Sequence, residues 1–407
     1  MSSKNIFLLI AGIVFLGLTS CKESRNVKKI DFTNHYKFSS EIEDKIAKDT
    51  VPWKYQFSAV DYAAKGDYQN ALKHWDLAMH ARERTLAQSY LDSILQLYSK
   101  VKATDYIVEQ AKKHQVVIIN EAHQSSMHRM FTRTLLQELY DNGYRNLGLE
   151  ALANGARLDS LLNSRKYPVQ ETGYYVKDPQ FGNLLRDALE IGYTLFDYEN
   201  IGKENGKFRE IGEAKNIKKF IDKKPNEKFL IFCGFDHVLE GTHRAWEKAM
   251  AGRLKEYTGI DPLTIHQVAY SESGNTKFNH PLLKALHIQE STILVDKDQN
   301  PYQYKRGKAY TDIAVFHPNT QYINKRPDWL FKNGNKNVSI SLHELEIEFP
   351  VMVLAYKEGE NINTAIPYDI TEAKSKEENC HLGLQKGNYT IVVTNGKESI
   401  KFEEKVK

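Results

Sequence analysis

The chain has 407 residues, a net charge of +4, and a composition that is 41% hydrophobic and 27% charged. That length exceeds one ordinary domain and accommodates two or three, and the composition is that of a folded protein rather than a disordered or membrane-embedded one. Lysines are interleaved with acids and no helical stretch carries a clean basic stripe, so the charge pattern gives no sign of a nucleic-acid partner.

The first residues, "MSSKNIFLLIAGIVFLGLTSC", set Lys4 ahead of an apolar run from Ile6 to Leu18 that closes in small residues before Cys21. The run is short for a membrane span and has the layout of a signal peptide. "LTSC" resembles a bacterial lipobox, which implies cleavage before Cys21 and lipidation of its thiol. Acyl chains there would tether a soluble body to a membrane of the cell envelope, the outer membrane first. A plain signal peptide or an uncleaved anchor is the alternative. Residues 1–20 are thus expected to form a signal peptide and the polar residues 21–50 a tether. Cys233 and Cys380 are expected in different domains as buried thiols, and no cysteine cluster points to zinc.

Residues 51–114 read as helical throughout. Ala59, Tyr62, Gly66, Tyr68, Ala71, Leu72, Trp75 and Ala78 are spaced as in a tetratricopeptide hairpin. A solenoid needs about three such units and one copy is present. The expectation is a helical hairpin packed on its neighbour, with a protein partner at the hairpin as the other use.

From Val116 the period changes. "VVII" is a short apolar β run, followed by a helix with Met127, Phe131, Leu135 and Leu139 on one face and a stop at Asn142-Gly143. Strands "YRNLGLE", "YTLFDYE", "KFLIFCGFDH" and "PLTIHQVAY" then alternate with helices "FGNLLRDALEIGY", "FREIGEAKNIKKFID" and "HRAWEKAMAGRLKEYTG". Such alternation predicts an α/β fold: a mainly parallel sheet flanked by helices over residues 115–335, with "STILVD" and "YTDIAVF" as further strands. Short alternating strands over 336–407 predict a C-terminal β-sandwich module.

In a parallel sheet, ligands gather outside the carboxyl ends of the strands. Here those ends carry Glu121 and His123, then Glu150, then Asp197 and Glu199, then Asp236 and His237. Carboxylates and imidazoles brought together either bind a divalent cation that acidifies water or make a histidine the general base, with a carboxylate fixing its tautomer. Neither a Gly-x-Ser-x-Gly elbow nor a Walker loop is present, which disfavours serine-hydrolase and nucleotide chemistry. A lone strand-end acid is most often a helix cap or a surface residue. His123 and His237, on two strands of one edge, carry more weight. His128 either faces the crevice or caps its helix, while His243 and His266 are expected to be structural.

"INEAHQSSMHRMFTRTLLQELYDNGYRNLGLEAL" resembles the core block of erythromycin-esterase-like proteins, the ChaN haem-binding lipoproteins and the TraB/Tiki group. Glu121 and His123 match the Gly-Glu-x-His strand end, Glu150 the acid of the second strand, and Gly234-Phe235-Asp236-His237 the Gly-x-x-His hallmark. Arg209, Glu210 and Asn216 in "FREIGEAKNI" fall where that group has its Arg-acid segment and Ala-x-Asn-Ile helix. The resemblance covers residues 100–270 and excludes both end modules. The glycine of the first motif is Asn120 here; Asn tolerates the left-handed conformation, so a turn is expected to survive there.

This resemblance implies a hydrolase of the cell envelope acting on an ester or peptide bond in a small-molecule or peptide substrate. His123 would be general base or metal ligand, His237 its partner, Glu121 and Glu150 orienting carboxylates, and Arg209 the group that binds substrate or the oxyanion. If a metal serves, it is manganese, cobalt or zinc on Glu121, His123 and His237. The competing implication is a lipoprotein that captures haem, iron or a small ligand in the same crevice without catalysis. A third reading makes the end modules the working parts of a surface assembly protein.

Overall fold

Val116, Val117, Ile118 and Ile119 are all fully buried, so the strand they form needs cover on both faces. The computed structural model describes residues 25–154, 157–200, 202 and 205–407, and supplies that cover. The expected signal peptide and Cys21 lie outside the described residues. The central sheet has eight strands: β1 (Ser99–Lys102), β2 (Val116–Glu121), β3 (Tyr144–Leu149), β4 (Thr194–Asp197), β5 (Lys228–Gly234), β6 (Leu263–Tyr270), β7 (Thr292–Val295) and β8 (Ile313–Phe316). Their spatial order is β1-β7-β8-β6-β2-β5-β3-β4. The six from β8 to β4 are mutually parallel, and β7 runs antiparallel to both β1 and β8.

Alternation along β2 divides the core in two. Val117 and Ile119 pack with helices α1 (Ser126–Asp141) and α2 (Pro179–Ile191) through Leu135, Leu139 and Leu184. Val116 and Ile118 pack with α3 (Lys207–Lys223) and α4 (Met250–Thr258) through Ile217 and Leu254. The fold is therefore mixed α/β with a mostly parallel, helix-flanked sheet. At the C-terminus, strands Val351–Lys357, Asp369–Ala373, Gly387–Thr394 and Ser399–Val406 form an antiparallel sheet. Its inner face packs on the ribbon of Lys336–Ile340 and Cys380–Leu384, with Val353, Ile391 and Phe402 in the shared core. Cys233 and Cys380 are buried free thiols.

Two expected boundaries move. Within the expected tether 21–50, Lys28–Ile30 is the edge strand of the C-terminal sheet, paired with Ser399–Lys401, and Ser39–Lys48 is a helix that buries Ile42 and Ile46. Polar composition hid both, because an edge strand and a surface helix need few apolar residues. The helical segment 51–114 also contains β1, whose sequence "SKVK" alternates too weakly to read as a strand.

Helices Lys54–Ala64 and Tyr68–Ala78 form the expected hairpin around Gly66, whose φ is +77°. A Cβ there would lie 2.2 Å from the Ile370 carbonyl oxygen, so the turn seats directly on the C-terminal module. Arg326 holds Asp369 at 2.6 Å and Arg186 holds Glu360 at 2.7 Å, tying that module to the α/β body. No helix among the described residues is long and apolar enough to cross a membrane.

Candidate active site

β2 ends in Glu121, and the chain turns through His123 before α1 begins at Ser126. Glu121 Oε1 lies 3.0 Å from His123 Nδ1. On its other side Arg129, one turn into α1, donates Nε to Glu121 Oε2 and Nη2 to Oε1 at 3.0 Å. Arg129 also holds the His123 carbonyl at 2.8 Å and Asp178 at the start of α2. Burial pushes the Glu121 carboxyl upward, but Arg129 and His123 outweigh it and hold its pKa below the usual carboxylate range. An ionised Glu121 accepts a proton-bearing Nδ1, which leaves the lone pair on Nε2. The imidazole lies flat on Tyr175, with ring centroids 3.8 Å apart.

The second group hangs from β3, α3 and the turn after β5. Glu150 accepts the Gly234 N–H and an Arg209 Nη2 proton, each at 2.6 Å. Arg209 also donates to Glu199 beyond β4, at 2.9 Å from Nε, and lies 3.1 Å from Glu213 one turn along α3. His237 faces Glu210 at 2.9 Å and Glu213 at 3.2 Å through Nδ1. Burial raises the Glu150 pKa, yet His237, Arg209, His123 and the Gly234 N–H outweigh it and bring the value down to about 2. Glu213 goes the other way: burial, with Glu150 nearby, lifts it to about 7 against His237 and Arg209.

His237 is drawn in two directions. Burial disfavours a charged ring, but Glu150, Glu213 and Glu210 outweigh burial and hold its pKa well above the ordinary histidine value. Arg209 Nη1, 2.9 Å from Nε2, asks instead for a lone pair there. The surplus of carboxylates decides for the imidazolium, with Glu150 Oε1 3.7 Å from Nε2.

Gly234 lets the two groups meet. A Cβ at that position would fall 2.4 Å from His123 Cε1 and 3.3 Å from Glu150 Oε2. The next residue, Phe235, takes a left-handed φ of +39°, which costs a residue with a side chain about 1–3 kcal/mol. Its carbonyl is held by Asn120 Nδ2 at 2.6 Å. Asn120 is not in the left-handed turn expected of it; it is an extended, fully buried residue of β2. Its side-chain oxygen accepts the Gln267 N–H at 2.9 Å, so it pins β6 and the β5 turn to β2. A glycine could make neither contact.

His123, Glu150, Glu199, Arg209, Tyr174 and Tyr175 line a cavity of about 380 Å³. A second cavity, of about 320 Å³, lies against Met127, Met130, Phe131 and Trp329 and includes no acid–histidine pair. Of the remaining strand-end groups, Asp197 accepts the Glu199 N–H, and burial lifts it to about 6. Asp236 is held by Arg306 and faces His243 at 3.3 Å. His128 accepts the Ala122 N–H at 3.0 Å and meets Ser271 at 2.6 Å, so it braces the turn from beneath the crevice. His243 and His266 accept backbone N–H groups.

The metal set expected on Glu121, His123 and His237 does not assemble, because Glu121 is taken by Arg129 and His237 by the acids of α3. Among the described residues, Glu150, Glu213 and His237 do bring ligand atoms within 4.8 Å of one another. The Arg209 guanidinium already reaches all three, so it stands where a cation would and this geometry does not fit a metal. Haem fits no better: a porphyrin wants apolar walls, and these carry Glu150, Glu199 and Arg209. Arg129, Asp178, Glu213 and Tyr175 belong to the site without having been singled out in the sequence.

No family model matches the chain and no curated protein matches its sequence. Solved structures that match the chain include three at low identity. RRSP, a MARTX toxin effector domain from Vibrio vulnificus CMCP6, is 14% identical over 50% of this chain and 43% of its own, with a TM-score of 0.28. The type III effector HopBA1 is 12% identical over 55% of this chain and 97% of its own, with a TM-score of 0.34. The C-terminal region of Pasteurella multocida toxin, described as having a thiol-protease-like catalytic triad, is 10% identical over 85% of this chain and 52% of its own, at 0.27. The chain thus spans less than half of the RRSP structure, and at these TM-scores none of the three bears on the chemistry.

Proposed function

We propose that this chain is a hydrolase of the bacterial cell envelope, tethered through a lipidated Cys21, that cleaves an ester or related acyl bond by histidine-activated water. The observation that carries the reading is the pair Glu121–His123, backed by Arg129 and opening on a cavity whose far wall holds Arg209. His123 Nε2 takes a proton from water as the oxygen attacks the substrate carbonyl, and Glu121 stabilises the imidazolium that forms. Arg209, the cationic group fronting the cavity, attracts the developing oxyanion. His123 then returns the proton to the leaving group. Glu150 and Glu199 hold Arg209 in place, and His237 braces Glu150 from behind.

The test uses purified chain beginning at residue 22, offered p-nitrophenyl acetate. Hydrolysis is expected to resist a chelator and to be lost in His123→Ala. Undiminished hydrolysis by that variant would overturn the assignment. The anchor is tested separately in cells, where labelling by a fatty-acid analogue is expected to disappear in Cys21→Ala.

A further inference from the structure

Aromatic rings run unbroken across this site. Trp75 of the helical hairpin stacks on Phe235 at 5.4 Å, Phe235 meets His123 edge-on at 5.0 Å, and Tyr175, beneath His123, touches Tyr174 at 5.2 Å. Tyr174 is 42% exposed and the other rings are half-buried, so the run is a ledge at the surface and not part of a core. The hairpin is docked to keep it there. A Cβ on Gly274 would lie 2.5 Å from the Lys73 backbone nitrogen, and the Asn275 N–H bonds Asp76 at 2.8 Å.

The ledge differs on its two sides of His123. On the Tyr175 side it borders the cavity, where Glu150, Glu199, Asn205 and Arg209 offer hydrogen-bonding groups and carboxylates outnumber the one arginine. On the other side the run continues through Phe235 and Trp75. Phe235 keeps a phenyl group on a backbone conformation that glycine would adopt freely, which is strain retained at a functional position.

We infer that the substrate is an ester joining a polyhydroxylated ring to a flat apolar acyl group, the ring lying in the cavity on Tyr174 and Tyr175 and the acyl group on Phe235 and Trp75. This rests on the hydrolase reading and specifies its substrate class. Hydroxyls of a neutral ring pair with the acids and amide of the cavity, while its C–H face meets the negative faces of the tyrosines. The surplus of carboxylates repels an anionic ring. With the two halves so placed, the ester carbonyl falls at His123. Water adds its oxygen to the carbonyl carbon and its proton to His123, the carbon–alkoxy bond breaks, and His123 protonates the departing sugar oxygen. A carboxylic acid and an alcohol result.

The test compares three esters with the purified chain: the 6-O-benzoyl ester of methyl glucoside, its 6-O-acetyl counterpart, and ethyl benzoate. The sugar benzoate is expected to exceed each of the others in kcat/KM by about tenfold or more, the scale on which a pocket separates analogues that lack a contact. Trp75→Ala is expected to collapse the benzoyl-over-acetyl ratio and Trp75→Phe to restore it; Tyr174→Ala is expected to collapse the sugar-over-ethyl ratio. Equal rates on all three esters would overturn the inference and leave the hydrolase reading standing. Binding of the uncleavable 6-O-benzyl ether, followed by isothermal titration calorimetry, separates the two ideas. Saturable binding lost in Trp75→Ala, without hydrolysis of any ester, would sustain the ledge and sink the hydrolase; no binding and no sugar preference would sink the ledge.

Discussion

Two arginines organise the two halves of this site, and they are built for different work. Arg129 is 1% exposed, and its donors are committed to Glu121, Asp178 and the His123 carbonyl. Arg209 is 26% exposed, fronts the cavity, and shares its charge among Glu150, Glu199 and Glu213. The first is sealed and holds a neighbour in place. The second keeps a face for solvent or substrate. An enclosed arginine should therefore govern folding and an open one the reaction, and substitution can break that division.

Arg129→Met tests the sealed half. It strands Glu121 and Asp178 as buried carboxylates without a counter-charge, a loss of about 3–5 kcal/mol when one partner of a buried pair is removed. Urea unfolding is expected to show a fall of that size. A variant as stable as the parent would end the comparison. Arg209→Met tests the open half. Removal of an oxyanion donor lowers kcat by about 10²–10³-fold, and unfolding free energy is expected to change less than in Arg129→Met, because His237 stays beside Glu150 and Glu213 as a counter-charge. If stability fell as far as in Arg129→Met, Arg209 would be a structural residue like its counterpart.

Gly234→Ala acts between the halves. The added Cβ meets His123 first and Glu150 only at 3.3 Å, so it displaces His123, and a misplacement of about 1 Å costs on the order of 10²-fold in rate. The expected signature is a loss of kcat with stability nearly unchanged, measured by steady-state kinetics beside thermal melting.

The same contrast explains what could be read from the sequence. Strand ends are legible because an apolar run that stops at an acid or histidine marks the carboxyl edge of a parallel sheet, and Glu121, His123, Glu150 and His237 stood out for that reason. Arg209 and Glu210 were visible only through short motifs. Glu213 and Arg129 were not visible, since a helix position declares its partner only once the crossing of α1 and α3 over the sheet is known. Asn120 was misjudged because the residue type tolerates a turn, whereas its use here is to hydrogen-bond across three strands. Lys28–Ile30 and β1 escaped because edge strands need no apolar face, and Trp75 was assigned to a hairpin whose place against Phe235 depends on tertiary packing.

The smallest expected effect concerns protons on the open half. Glu213 is fully buried and its carboxyl stands at about 7, above the ordinary 4.5. Between those two values the folded state binds more protons than the unfolded state, so unfolding free energy falls as pH rises. The contribution from Glu213 is complete below the ordinary carboxylate pKa and is lost as pH climbs through about 7. His237, also raised, adds a loss of the same sign at higher pH. Glu121 and Glu150, being depressed, contribute above the ordinary carboxylate range and lose stability only in acid, Glu150 as pH falls toward 2. Glu213→Gln removes the first effect and weakens the second, since Glu213 is one of the acids that raise His237. Relative to the parent, the variant is expected to gain on the order of 1 kcal/mol between weakly acid and weakly alkaline pH, read from urea midpoints at several pH values. Parallel pH curves for the two proteins would mean that Glu213 stays ionised throughout, and that the open half carries a fixed charge surplus in place of a shared proton.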